Sequence, residues 1–311
     1  MKIIPITKTF FKNYSTRTDR VFLWLTLLTL LCGGLCSALN QLFFHYPTIL
    51  LFATHIDTLS WFQTAALTFL CGGFLFYGMT IRTETPRAST FLWGLGLFSW
   101  CAFANLVVIN GIQSTPFTPI DPLLVKIDHA FGIHSAALMA WTHNHPFIHD
   151  TLNFIYKGLV LELIGIPLAL TLFNGRHALS IFYLAFMMTC LIGCFIYYFF
   201  PTMAPSGIIH SPYFSHEQQD TSMRFHQIHA FIKPTVADGG LIAFPSFHVI
   251  WAVLLTYACR ARKLFLYPVA IFNVLLIIST VMLGWHYVTD VIGGIIIAVF
   301  GIIWAEWITT K

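Results

Sequence analysis

Eight stretches of the chain are apolar for long enough to be read as membrane spans. They fall near residues 21–43, 60–80, 90–112, 152–174, 179–200, 246–259, 265–283 and 288–308. A helix needs about 20 such residues to cross the hydrocarbon of a bilayer. The stretch at 246–259 is short, so its helix is expected to begin a few residues earlier, near Gly240. Two of the intervening segments are long. In residues 113–151, apolar positions recur at helical spacing through Asp121-Pro122-Leu123-Leu124-Val125-Lys126-Ile127-Asp128 and again through Ala136–Trp141. That pattern predicts amphipathic helices lying on the bilayer. Residues 201–245 are mixed and proline-bearing, and are expected to form a cap or entrance. No internal repeat or low-complexity tract is present. The fold class is therefore all-α, a polytopic membrane helix bundle of about eight spans.

Composition agrees with the pattern. Of 311 residues, 57% are hydrophobic and 9% are charged, against about 25% charged in soluble domains. The seven cysteines all fall inside apolar segments, where they read as small buried hydrophobes rather than disulfides or metal ligands. The first apolar run is long and lacks a clear small-residue cleavage site, so it reads as a retained span.

Charge fixes an orientation. With the N-terminus inside, twelve of the 16 basic residues lie in inner segments and three, Lys126, Arg224 and Lys233, in outer ones; Lys157 lies within a span. This bias follows the positive-inside rule and puts both termini in the cytoplasm. The same topology brings three polar, Pro/Gly-rich segments to the outer face: Pro201–Gly207, Phe244–His248 and Gly284–Asp290. Such sidedness suits a bacterial inner membrane with a site facing the periplasm, and a eukaryotic endomembrane obeys the same rule.

The last two segments carry chemistry. His286 and Asp290 are four residues apart, which on a helix puts them on one face, a turn apart. The carboxylate can then hold one ring nitrogen and leave the other free as base or nucleophile. A second histidine, His248, stands at the mouth of another span, two residues after Ser246. A polar group at a membrane boundary is costly without a role. Together Ser246, His248, His286 and Asp290 form a candidate phosphoryl-transfer site. A histidine nucleophile divides a slow displacement into two steps, a second histidine protonates the leaving alkoxide, and donors hold the negative oxygens.

These residues resemble the type 2 phosphatidic acid phosphatase superfamily of integral membrane enzymes. Its Pro-Ser-x-His motif is matched by Pro245-Ser246-Phe247-His248. Its Ser-Arg, five residues, His, three residues, Asp motif is matched by Ser279-Thr280, His286 and Asp290. The branch resembled most is that of inositol phosphorylceramide synthase, through Phe-Pro-Ser-Phe-His, Phe200-Pro201-Thr202, Asp121-Pro122-Leu123-Leu124 to Asp128, and Phe131-Gly132. The resemblance covers roughly residues 119–305. It implies that His286 is the nucleophile, Asp290 its orienter, His248 the general acid and Ser246 a phosphate ligand, with no metal or other cofactor. The substrate would be a phosphorylated lipid, and an alcohol could act as acceptor. The chain then divides into a basic leader at 1–20, N-terminal spans at 21–112, an outer loop with interfacial helices at 113–151 and a catalytic membrane core at 152–311. Two added spans would stand beside a six-span phosphatase-like core.

Two departures matter. The superfamily has Lys and Arg before a proline where this chain reads Tyr197-Tyr198-Phe199-Phe200-Pro201, without a cation, and its third-motif Arg is Thr280 here. One lost oxyanion donor costs about 2.7–4 kcal/mol in an enzyme. Lys157 is the leading replacement, with a lysine paired to Glu162 or reaching the interface as the structural alternative. Arg224 and Lys233 are weaker candidates. Thr202 and Ser206, with the amides of the Pro201–Gly207 turn, are further candidate donors.

Hydrolysis and transfer share the covalent intermediate, so the sequence leaves lipid phosphatase and phosphotransferase both open. The missing cations motivate a different class, a non-catalytic membrane protein that keeps the fold and binds a lipid or partner. A transporter would want more ionisable residues inside spans than Lys157 and Glu162. The basic residues follow membrane topology rather than a patch, which excludes nucleic acid as a partner. The loop histidines, His143, His145 and His149 in one loop and His210, His216, His226 and His229 in the other, lack defined ligand spacing and read as solvated.

Overall fold

The computed structural model describes residues 13–39, 61–113, 115–173, 175–230, 232, 235–236 and 242–310. The first twelve residues of the basic leader lie outside these, as do the ends of the first two predicted spans at 40–43 and 60, and Lys233, Gly240 and Lys311. Every element among the described residues is helical. They are α1 (Arg17–Leu39), α2 (Trp61–Thr80), α3 (Pro86–Ile112), α4 (Asp121–Ala130), α5 (Ser135–His143), α6 (Pro146–Leu172), α7 (Arg176–Phe199), a 3-10 turn (Pro205–Gly207), α8 (His216–His229), α9 (Phe247–Ala258), α10 (Lys263–Met282) and α11 (Val288–Thr310). Six of these, α1, α3, α6, α7, α10 and α11, are long and apolar enough to cross a membrane.

The hydropathy pattern is thus matched by eight helices, and the starts of two of them differ most from it. α6 begins at Pro146 rather than near 152, because proline suits the first turn, where its missing N–H is not needed. α9 begins at Phe247 instead of near Gly240. Ser246 ends the preceding extended segment and its Oγ accepts the Val249 amide at 3.4 Å, so the capping serine fixes the start.

α7 is the central helix. It packs on α1, α3, α6, α9 and α11, and its whole circumference is apolar and largely enclosed. In lipid such packing depends on close contact rather than on expulsion of water, so small residues decide where helices touch. Gly301 of α11 faces Thr189 of α7, and Gly111 of α3 faces the Gly33 carbonyl of α1; a Cβ at either would stand within 2.4 Å of its neighbour.

One end of the bundle is cationic. Arg176 Nη1 donates to Ser89 Oγ at 3.0 Å and its guanidinium lies over Trp93 at 4.2 Å. Trp93 Nε1 donates to the buried Asp19 at 2.8 Å. Arg260 pairs with Glu306 at 2.6 Å, and Arg262 donates to the Phe173 carbonyl at 3.1 Å. These bonds join the start of α1, the start of α3, the α6–α7 and α9–α10 turns and the end of α11.

The opposite end is organised by α4. Asp121 and Asp128 are two helical turns apart and both are buried. Asp121 Oδ2 accepts the Met203 amide at 2.9 Å and Oδ1 the Tyr287 hydroxyl at 3.2 Å. Asp128 accepts the Val288 amide at 2.8 Å, the Thr289 amide at 3.1 Å and the Thr289 hydroxyl at 2.7 Å. These are first-turn donors of α11, whose own N-cap, Tyr287, offers no side-chain acceptor. Asp128 is therefore an N-cap delivered from another helix. Replacing an N-cap by alanine costs about 0.5–2 kcal/mol, and here three donors lose one carboxylate. Asp128→Ala is expected to lose at least the upper end of that range, and Asp128→Asn less, read as the shift in thermal unfolding of the detergent-solubilised protein.

Candidate active site

His286 is placed by the way α10 ends. Gly284 takes φ +76°, a conformation open to glycine and strained for other residues. Its amide donates to the Val281 carbonyl at 3.0 Å and the Trp285 amide to the Thr280 carbonyl at 2.9 Å. This pair of bonds is a Schellman motif. The His286 amide adds a third bond, also to the Thr280 carbonyl, at 3.0 Å. The chain reverses within five residues, and the imidazole is delivered to the start of α11.

There Nδ1 stands 3.1 Å from the Ala243 carbonyl and 3.3 Å from Asp290 Oδ2. Both neighbours are acceptors, so Nδ1 carries the proton and Nε2 keeps its lone pair. The ring is 4% exposed. Burial pushes its pKa down to about 4, against a smaller upward effect of the Ala243 carbonyl. His286 is thus a neutral imidazole at physiological pH, with its free nitrogen fixed by its partners.

Asp290 occupies the third position of α11. Its Oδ2 also accepts the Tyr287 amide at 2.9 Å, a reach-back to the N-cap residue. Oδ1 is buried without a hydrogen-bond partner among the described residues. The Asp290 carbonyl accepts the Ser246 amide at 3.2 Å, which ties the start of α11 to the start of α9. Gly294 permits this: a Cβ there would stand 2.8 Å from the Ser246 carbonyl oxygen.

His248, on the first turn of α9, faces His286 with ring centroids 5.6 Å apart and a T-shaped arrangement. Its other neighbour is Tyr156 of α6, stacked at 4.5 Å. Tyr156 stacks in turn on Trp285 at 5.1 Å. Three rings from three segments therefore form a row, with His286 inclined at 60° to the ring at its end. Thr202 is buried and its Oγ1 accepts the Phe244 amide at 2.9 Å, so it supports the segment leading into Ser246 and His248. Asp121 holds the same neighbourhood from α4, and burial pushes its carboxyl up to about 6 against the opposing pull of its two donors.

His286, His248, Asp290, Ser246 and Thr202 thus come together, and two other candidates lie apart. Ser206 donates to the Gln218 carbonyl at 2.9 Å and fastens the 3-10 turn to α8. Lys157 is 57% exposed and pairs with Glu217 at 3.5 Å, not with Glu162. It lines a cavity of about 310 Å³ whose wall includes Trp285 and neither His248 nor His286. Arg224 lies on α8. Thr280, in the place of the arginine, spends its hydroxyl on the Ile277 carbonyl at 2.7 Å and its own carbonyl on the turn. Among the loop histidines, His143 packs on Tyr213 with centroids 4.7 Å apart and His149 meets Asp150 at 3.1 Å. No group of three His, Cys, Asp or Glu among the described residues could hold a metal ion.

Sequence reasoning did not single out Tyr156, Trp285, Tyr287 or the Ala243 carbonyl, and it used Asp121 and Asp128 only as marks of resemblance. The seven-residue spacing of the two aspartates signalled a common helix face. Their partners, about 80 to 166 residues away in sequence, left no local signal.

The sequence model of the PAP2 superfamily matches residues 122–304, more than half of the chain and inclusive of both histidines. Neither the curated proteins nor the solved structures contain a match to it. Six helices able to span a bilayer, in a family of membrane phosphatase-type proteins, make this an integral membrane protein. The chain belongs to the PAP2 superfamily.

Proposed function

We propose that the protein cleaves or transfers a phosphate-linked group on a lipid through a phosphohistidine, at the bundle end opposite the cationic one. The observation that carries this reading is the apposition of His248 to a neutral His286 whose Nδ1 is held by two acceptors. Nε2 of His286 attacks phosphorus. The bond from phosphorus to the lipid oxygen breaks, and His248 supplies the proton to the leaving alkoxide. Asp290 orients the imidazole and stabilises the positive charge it gains on attack. In the second half, water or an alcohol gives its proton to His248 and its oxygen takes phosphorus from Nε2. Water makes a lipid phosphatase; an alcohol acceptor makes a transferase like the inositol phosphorylceramide synthase branch.

Ser246, Thr202, Ser206 and Lys157 are the candidate phosphate ligands. Their committed bonds rank them: Ser206 would have to leave Gln218 and Lys157 to leave Glu217. No metal takes part in the route, so chelators are expected to leave the rate unchanged. The positive-inside bias supports a cytoplasmic cationic end and a site on the outer side, which would be the periplasm in a bacterial inner membrane. The bare Tyr197–Pro201 stretch favours a second reading, a fold-retaining protein that binds a lipid or partner without turning it over.

The deciding experiment offers phospholipids, lipid phosphates and prenyl diphosphates to purified protein in lipid micelles, with and without alcohols. His286→Ala is expected to abolish product and acid-labile phosphoenzyme without reducing folded yield. No His286-dependent product across the panel would favour the binding reading. Asp290→Asn is expected to keep the fold and lower kcat by about a hundredfold or more, in line with orienting carboxylates elsewhere; an unchanged rate would remove Asp290 from the mechanism. Protonation of His286 removes the nucleophile. On that account kcat/KM is lost on the acid side as pH falls through about 4, and a loss centred on the ordinary histidine value near 6.5 would contradict the buried, neutral imidazole.

A further inference from the structure

Arg176, at the cationic end of the bundle, has a guanidinium that is fixed at one nitrogen and one face. Nη1 donates to Ser89 Oγ at 3.0 Å, and the plane lies over the Trp93 ring at 4.2 Å. Both partners are held in turn. Ser89 is buried and gives its own proton to the Gly78 carbonyl near the end of α2, and the buried Trp93 spends its N–H on Asp19. Nε and Nη2 of Arg176 are buried and have no hydrogen-bond partner among the described residues. These two nitrogens form one edge of the guanidinium, and their N–H bonds run parallel. That edge is the fork that takes two oxygens of a single oxyanion. A buried charged donor without an acceptor is costly, so the edge calls for an anion.

Among the described residues none supplies it. Asp19 is the carboxylate that acts on Arg176, and its oxygens are committed elsewhere. Oδ1 accepts Trp93 Nε1 at 2.8 Å. Oδ2 accepts the Thr16 amide at 2.8 Å and the Thr16 hydroxyl at 2.6 Å. Arg82, in the turn between α2 and α3, stands 4.0 Å from the same Oδ2 and also acts on Arg176. Two guanidiniums thus share one carboxylate whose lone pairs are largely taken. The excess is one positive charge, placed where α1, the α2–α3 turn, α3 and α7 meet.

We propose that Arg176 and Arg82 form a binding site for the phosphate of an anionic phospholipid, at the end of the bundle away from the histidine pair. Arg176 takes two phosphate oxygens through Nε and Nη2, and Arg82 meets the remaining charge from the neighbouring turn. A lipid fits better than a free phosphate because of where the fork stands. Arg176 is the first residue of a helix able to span the bilayer, which puts it at the level of head groups. The chain reaches it through Leu172 and Phe173, two exposed apolar residues at the end of α6 that suit acyl chains. Basic pockets between spans bind anionic head groups in this way. A lipid held here is bound and not turned over, so the proposal is independent of the phosphohistidine reading. Its effect is to brace α7 against the helices that precede the catalytic core.

The test uses full-length His286→Ala protein, delipidated in a neutral detergent, so that no lipid is consumed. Thermal unfolding is followed as phosphatidylglycerol, phosphatidylcholine or inorganic phosphate is added. Phosphatidylglycerol is expected to raise Tm saturably, by about 5 °C at a hundredfold excess over Kd, and phosphatidylcholine, whose choline cancels the phosphate charge, is not. Arg176→Lys keeps the charge and loses the fork, and should weaken the apparent affinity by about tenfold or more. Arg82→Gln should weaken it as well. That change leaves the Ser89 and Trp93 contacts in place, so it reports on the site even if Arg176→Lys folds poorly. Arg87→Gln, at an exposed position on the first turn of α3, should leave the lipid shift as it is. Inorganic phosphate that reproduces the shift, with the same pattern across the variants, would keep the anion site and overturn the lipid as its source. Equal shifts with both lipids, or an equal loss in Arg87→Gln, would overturn the site itself and leave only a diffuse basic belt.

Discussion

A carboxylate on one short helix holds the first turn of another. Asp128 takes the two leading amides and a hydroxyl of α11, and α11 is the helix on which Asp290 turns towards His286. The N-terminus of any helix concentrates donors that need partners and carries a partial positive charge. In water, solvent would serve. In an enclosed end of a membrane bundle the chain must supply the acceptor itself. Tyr287 cannot, because its side chain has no acceptor near its own backbone and its hydroxyl is turned to Asp121. The two aspartates of α4 therefore act on the segment just after His286, one through Tyr287 and one through the first turn of α11. Without them the turn between α10 and α11 would keep its local bonds and lose its address.

A second constraint is dryness. The buried site keeps His286 uncharged, which is what the proposed phosphohistidine route needs of its nucleophile. The same dryness would penalise the lysine and arginine that the superfamily carries near the end of the span corresponding to α7, unless anions were always close. This chain has aromatic and aliphatic residues there, and Lys157 stands on an exposed rim against Glu217.

The helices were legible because a span writes itself as an unbroken apolar run, and the His286–Asp290 relation because both residues belong to one local turn and helix start. The start of α9 was also written locally, in Pro245 and Ser246, but the expectation of a full-length span pulled the reading towards Gly240 and the cap prevailed. The partner of Lys157 was not legible for a different reason. Glu162 is near in sequence, whereas Glu217 is sixty residues away on α8, and an exposed ammonium takes the carboxylate that tertiary packing brings. Asp121 and Asp128 belong to this last kind: residue type and spacing said they shared a face, and only the fold says what that face holds.

Gly294 sets how far α9 and α11 can drift. With no side chain it lets α11 lie against the carbonyl of Ser246, while the amide of the same serine reaches the Asp290 carbonyl. The contact is made of main chain on both sides, so it has no rotamers to adjust and no solvent to soften it. The distance between the two histidines is consequently gauged by backbone thickness. Side chains around the pair can change, while the spacing of the pair itself has almost no freedom to follow them.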